Sequence, residues 1–267
     1  MLDAVPDNLT RVSGWEAVLI ALAGLAAGTI NTIVGSGTLI TFPVLLALGF
    51  PPVTANVSNN IGLVPGGLSG AWGYRRELGG QARTIKRLAP ASALGGLAGA
   101  LLLLVLPKEA FATIVPVLIA IALVLVVLQP RLSRRLAQKR EQGMAAHEHI
   151  GPAVVGGTFG AGIYGGYFGA AQGVLLVGLL GSLLPEPLQR VNGLKNLLSA
   201  IVNGVAAATF VIVRPEAIDW AVVALIAVGS VAGGFVGAGV GRRLPAPVLR
   251  SAIIVVGLVA IARLVSS

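Results

Sequence analysis

The sequence predicts an all-α, polytopic membrane bundle of two inverted tandem repeats, each a broken helical hairpin followed by three full transmembrane helices. Composition is the first reason. Of 267 residues, 55% are hydrophobic and only 11% charged, with a mean hydropathy of +0.90, which leaves too little polar surface to cover a water-soluble protein. The second reason is a set of long uncharged runs: Ala17 to Tyr74, Ala110 to Pro130, Ile150 to Pro185, Asn196 to Val213 and Trp220 to Gly241 contain no Asp, Glu, Lys or Arg. A bilayer core is crossed by roughly 20 apolar helical residues, so these runs hold several spans. The third reason is internal similarity in preserved order. Ala27-Gly28 through Gly35 falls on Ala161-Gly162 through Gly169, and Asn56 to Asn60 falls on Asn192 to Asn196. Gly95-Gly96 through Gly99, with Leu106-Pro107, falls on Gly233-Gly234 through Gly237, with Leu244-Pro245.

The elements follow in chain order. Met1 to Arg11 carries Asp3 and Asp7 and no early basic cluster, unlike a cleaved signal peptide, so the first apolar run is expected to stay as a span. The first unit covers 12–128 and opens with 15–50. As one helix this stretch would reach about 51 Å, far more than the hydrocarbon layer, so it must bend. The break is expected at Asn31 to Gly37 (NTIVGSG), where glycine supplies backbone conformations that interrupt a helix. Spans at 53–74, 88–106 and 111–128 follow. Residues 129–150 form a polar cytoplasmic linker. The second unit, 151–267, repeats the plan with a hairpin at 152–184 broken within Gly165 to Gln172 (GGYFGAAQ), then spans at 190–213, 218–241 and 247–265. Trp15, Trp72 and Trp220 fall near span ends, where indole favours the membrane interface.

A formal charge of +9 would suggest nucleic acid in a soluble protein. Here the basic residues sit in short gaps between apolar runs and no aromatic platform accompanies them, so they report topology. If each hairpin begins and ends on one side, the second unit is inverted, both termini lie outside, and only Arg11, Lys108, Arg214 and Arg263 of the basic residues face outward. The parallel alternative moves Arg190, Lys195, Arg242, Arg243 and Arg250 outward and is less favoured. With no cysteine, disulfide, thiol and iron–sulfur chemistry is excluded. His147-Glu148-His149 lies in the linker without partners and reads as solvated, so neither a metal nor a cofactor is expected.

The chemistry is expected from amides and one cation. Asn56, Asn59 and Asn60 open one span; Asn192, Lys195 and Asn196 open its counterpart. Residues four apart share a helix face, and an amide left unpaired in lipid costs several kcal/mol, so these groups should face protein or a cavity. Interhelical hydrogen bonding is the alternative. Lys195 stands where the first unit has Asn59, adding one positive charge at the edge of an uncharged run; it either serves a site or snorkels to the headgroups. At the breaks, free backbone N–H groups can receive an anion, with Asn31, Ser36, Thr38, Tyr164, Tyr167 and Gln172 adding donors. The reading is a secondary transporter with a small anionic substrate, embedded in the lipid bilayer. A coupling ion, proton or sodium, and self-association as a homo-oligomer stay open. The rivals are a passive anion channel of the same fold and, from another class, a membrane-embedded enzyme or assembly factor; the spans hold no paired carboxylates or nucleophile triad for the last.

INTIVGSGTLITFPVLLALGFPPVTANVSNN (30–60) and LSGAWGYRREL (68–78), with GIYGGYFGAAQGVLLVGLLG (162–181) and RVNGLKNLLSAIVNGVAA (190–207), resemble the two half-signatures of the TauE/SafE sulfite exporter family, also called TSUP or DUF81. The resemblance covers nearly the whole chain apart from the N-terminal ten residues and the linker. It implies export of sulfite or a small organosulfonate across a bacterial cytoplasmic membrane by a multi-pass protein, with the two Asn-rich clusters lining the pathway.

Overall fold

A computed structural model describes residues 12–141, 150–239, 251, 253–259 and 261–262. Arg11, His147-Glu148-His149, Arg242, Arg243, Leu244-Pro245, Arg250 and Arg263 lie outside the described residues. The first half contains α1 (Gly14–Ile33), α2 (Thr38–Ala47), α3 (Pro52–Gly73), α4 (Ala82–Val105) and α5 (Lys108–Glu141). The second half contains α6 (Pro152–Tyr167), α7 (Gln172–Leu183), α8 (Leu188–Val213), a 3-10 turn at Pro215–Ala217 and α9 (Trp220–Gly239), with a further helical stretch at 253–259.

Both opening stretches break where glycine and length required it. α1 ends at Ile33 and α2 starts at Thr38; α6 ends at Tyr167 and α7 starts at Gln172. Gly35 and Gly169 hold φ of 88° and 80°, a left-handed conformation that a β-carbon would strain. Each second arm folds back on its first: Gly37 packs on Ala27 and Asn31, and Gly165 and Gly157 pack on Gln172 and Leu179 in falling order.

Among the described residues, five helices are long and apolar enough to cross a membrane: α1, α4, the 109–132 portion of α5, α8 and α9. At 22 residues α3 matches them in length, but Asn56, Ser58, Asn59 and Asn60 lower its hydropathy. It tolerates these amides because it packs among α1, α8 and α9, where they face protein. The lipid-facing surface is instead a belt of exposed aliphatic side chains, such as Leu94, Leu97 and Leu101 on α4 and Val117, Ile121, Val124 and Leu128 on α5, at helical spacing. Two helices exceed expectation. α4 begins six residues early, taking in Arg83, Lys86 and Arg87, and α5 runs through Gln129 to Glu141, because Arg, Leu, Ala, Gln and Lys sustain a helix there and glycine does not interrupt it.

Packing is reciprocal between the halves. α1 lies most extensively against α9, and α4 against α6; under the repeat these are the same contact made twice. Both rest on glycines that let backbones touch. A β-carbon on Gly24 would sit 2.9 Å from the Ile226 carbonyl, and one on Gly162 would sit 2.9 Å from the Ser92 carbonyl. The contacts also give direction. Gly24 meets Ile226 and Gly28 meets Ser230, so α1 runs with α9; Gly62 and Gly66 meet the same two residues, so α3 does too. Gly95 meets Phe159 and Gly99 meets Ile163, so α4 runs with α6, while Gln81 meets Arg190 and Gly96 meets Val202, so α4 also runs with α8. Against α8, α3 runs oppositely: Ser58 bonds Asp219 just beyond its end, and Gly67 meets Ala200 nearer its start. Thus α1 and α6, the opening arms of the two units, point in opposite directions, which is consistent with an inverted repeat. Arg75, Arg76, Arg83, Lys86, Arg87, Arg131, Arg134, Arg135 and Arg190 consequently gather at one end of the bundle, the face that the positive-inside rule assigns to the cytoplasm.

Candidate functional site

A helix that stops inside a membrane leaves its last carbonyls without intrahelical partners and without water. The end of α1 is served by α8 from the opposite unit. Lys195 Nζ donates to the carbonyls of Asn31 and Thr32, each at 2.9 Å, and Asn196 Nδ2 donates to Thr32 at 3.3 Å. Gln129 Nε2 on α5 adds a bond to Val34 at 3.3 Å. The end of α6 is served in turn by α3, where Asn56 Nδ2 donates to the Tyr167 carbonyl at 3.0 Å. The two breaks also touch each other, since the N–H of Gly173 donates to the carbonyl of Gly35 at 3.0 Å. The polar centre of the bundle is therefore the crossing of the two breaks, closed from each side by the other unit.

Lys195 is 1% exposed and is the only buried charged side chain among the described residues. Among those residues no carboxylate pairs with it; Arg190 pairs with Glu186 at 2.5 Å and Arg214 with Glu216 at 3.9 Å, at helix ends. The partial negative charge at the end of α1 offsets the ammonium in part. A full charge held away from water by two neutral carbonyls still favours an approaching anion, and a lysine has a third N–H to offer.

Around this crossing several buried polar atoms have no partner among the described residues: Ser36 Oγ in the first break, Tyr164 OH, Tyr167 OH and Gln172 Nε2 flanking the second, and Asn56 Oδ1 and Asn60 Oδ1 on α3. Gln172 lies against the Gly165 backbone. Such atoms are rare in a native interior and mark places where solute or water completes the set. The donors among them, hydroxyls and an amide, match the needs of an oxyanion.

Not every expected residue has this character. Asn59 is satisfied within the first unit, accepting from Thr41 Oγ1 and donating to Thr38 Oγ1 at 3.4 Å. Asn192, one turn before Asn196, is half-buried and takes no part in closing either break. Asn31 contributes its backbone carbonyl, with a half-buried side chain beside Gly37. Three participants were missed from sequence: Thr41, Gly173 and Gln129. Gln129 carried a usable signal, because it falls in phase with the buried positions Ile119, Ala122 and Val126 of its own helix. His, Cys, Asp and Glu form no group able to hold a metal among the described residues.

Comparison with known proteins fits this architecture. Residues 20–264 match the family described as Sulfite exporter TauE/SafE. The chain is 26% identical over 238 residues to the "Probable membrane transporter protein YfcA" of Escherichia coli strain K12, covering 89% of this chain and 84% of that protein. It is 28% identical over 172 residues to a "Probable membrane transporter protein" of Haemophilus influenzae strain Rd, covering 63% of this chain and 65% of that one. It is 35% identical over 103 residues to the "Probable membrane transporter protein ORF9" of a Sinorhizobium species, covering 38% and 40%. No solved structure matches significantly. An all-helical membrane bundle whose two broken hairpins meet at its centre, matched along nearly its whole length, belongs to the TauE/SafE family of membrane transporters.

Proposed function

We propose that this transporter exports a small sulfur-containing anion, sulfite or a small organosulfonate, from the cytoplasm of a bacterium, and that the anion binds where the two breaks cross. The observation that carries the reading is Lys195: a buried cation with carbonyl partners in the first break and no carboxylate among the described residues, its stem beside Gly173 of the second. An anion there completes the charge balance and receives hydrogen bonds from Lys195, Ser36 and Gln172. Asn56 and Asn196 bond the ends of the two breaks, buried Asn60 lies one turn along α3 from Asn56 with its Oδ1 unpartnered among the described residues, and Asn59 bonds Thr38 and Thr41. Transport then requires the unit 12–128 to rock against the unit 151–267, joined by the linker 129–150, so that the site opens to one face at a time. The bond from Gly173 to Gly35 crosses between the units, as do those of Lys195 and Asn56, and such a motion must rearrange them.

The test is binding and uptake by Lys195→Met, which keeps length and bulk and removes charge. Sulfite should no longer raise the melting temperature of the purified variant, and uptake of radiolabelled sulfite into proteoliposomes should fall to the protein-free level. The loss expected for one charge-assisted contact is about 2 kcal/mol, roughly thirtyfold in Kd. A folded variant with unchanged sulfite affinity would reduce Lys195 to a helix cap and remove the site. Ser36→Ala, whose hydroxyl has no partner among the described residues, gives a second reading should Lys195→Met fail to fold.

A further inference from the structure

Outside the central site, a lateral groove of about 600 Å³ lies between α5 and α7. Its walls are aliphatic, with Leu125, Leu128 and Leu132 on one side and Leu175 and Leu179 on the other. Gly178 on α7 lies close against Leu132 of α5: a β-carbon there would come within 2.7 Å of Leu132 Cδ2. At the mouth stand Arg131 and Arg135, one helical turn apart, both exposed and neither in an ion pair with a described residue. The mouth lies at the basic end of the bundle.

We propose that this groove holds an acidic phospholipid of the cytoplasmic leaflet, one acyl chain lying between α5 and α7 and the phosphate resting on Arg131 and Arg135. The occupant follows from charge and shape together. An aliphatic slot open to the side of a membrane helix pair takes a hydrocarbon chain, and two unpaired guanidinium groups at its cytoplasmic rim take a phosphate in the geometry arginine favours. A zwitterionic lipid fills the slot but carries an ammonium or choline group that opposes the arginines.

The position gives the lipid a handle on the transport site. The inner end of the groove is formed by Gln129 and Val174. Gln129 donates to the Val34 carbonyl of the first break, and its Oε1 has no partner among the described residues; Val174 follows Gly173, whose N–H bonds Gly35. A chain seated in the groove thus holds apart the two helices that anchor the crossing from opposite units.

The test reads lipid retention and needs no knowledge of the transported solute. The full-length protein is delipidated in detergent, titrated with phosphatidylglycerol or phosphatidylcholine, and examined by native mass spectrometry. Phosphatidylglycerol should be retained in preference to phosphatidylcholine, and Arg131→Gln/Arg135→Gln should weaken its retention about tenfold. Arg83→Gln/Lys86→Gln, an exposed basic pair on α4 at the same end, should leave retention unchanged. Gly178→Leu, which puts a side chain against Leu132 in the lining of the groove, should abolish retention of both lipids, and inorganic phosphate should not compete. Equal weakening by the α4 pair would mean general attraction to a basic face, and competition by phosphate would mean a free-anion site; either overturns the proposal. Because the double glutamine variant changes only exposed side chains, it remains informative if Gly178→Leu does not fold.

Discussion

The two breaks solve one problem with different chemistry. Each leaves a helix C-terminus stranded in the bundle, and each is closed by a polar side chain reaching across from the other unit. At the end of α1 the partner is an ammonium reinforced by an amide; at the end of α6 it is a single neutral amide. A helix C-terminus prefers a cation, so the first break has the stronger closure. The pair teaches that a twofold scaffold acquires a charged centre through one position. Asn59 and Lys195 occupy equivalent places, yet Asn59 turns to Thr38 and Thr41 of its own unit while Lys195 crosses to the other.

Exchanging the two is the severest way to break that comparison. Asn59→Lys with Lys195→Asn keeps composition but puts an ammonium among threonine hydroxyls and leaves the carbonyls at α1 with an amide too short to serve both. A buried charge without its partners costs about 3 kcal/mol or more, so the melting temperature should fall sharply and sulfite uptake should vanish. Recovery of uptake would mean that the charge matters and its location does not.

Gly35→Ala and Gly169→Ala come next. Both glycines hold positive φ, a strain of about 1–2 kcal/mol for alanine. Only at Gly35 does the new methyl also collide with backbone, that of Gly173 in the other break; at Gly169 its neighbours are the Gly165 carbonyl at 3.2 Å and Thr38 Oγ1 at 3.7 Å. Gly35→Ala should therefore lower the melting temperature clearly more than Gly169→Ala. Equal shifts would mean that the breaks do not press on each other.

Smaller effects separate the amides. Asn56→Ala strips the Tyr167 carbonyl of its side-chain donor and should destabilise by about 1–2 kcal/mol, whereas Asn196→Ala leaves Thr32 bonded to Lys195 and should cost less than about 1 kcal/mol. Thermal unfolding of the two variants side by side checks the order. Smallest in stability is Ser36→Ala, whose hydroxyl has no partner among the described residues: melting should be unchanged while sulfite Kd rises severalfold. A drop in melting without a change in Kd would make Ser36 structural.

Much of this was legible beforehand because the bilayer restricts what apolar sequence can do. The breaks followed from runs too long for one span with glycine in the middle, and the tryptophans marked helix ends: Trp15, Trp72 and Trp220 are all largely exposed near the termini of α1, α3 and α9. That the amides face protein followed from the cost of exposing them to lipid. Their partners were not legible. Lys195 and Asn56 meet backbone carbonyls, which every residue carries, on helices more than a hundred positions away, and no spacing rule registers such a pair. Nor did the pattern reveal that α5 continues beyond Gln129, since a helix leaving the membrane trades its apolar residues for charged ones without losing its geometry.

The reciprocal glycine seams carry a consequence for biogenesis. Since α1 lies along α9, and α4 along α6, neither half encloses its own first helix. As the chain leaves the ribosome, the glycine face of α1 must wait among lipids until residue 239 has been made. A fragment ending in the linker should therefore insert but fail to mature, while two separately expressed halves should rescue one another when produced in the same cell.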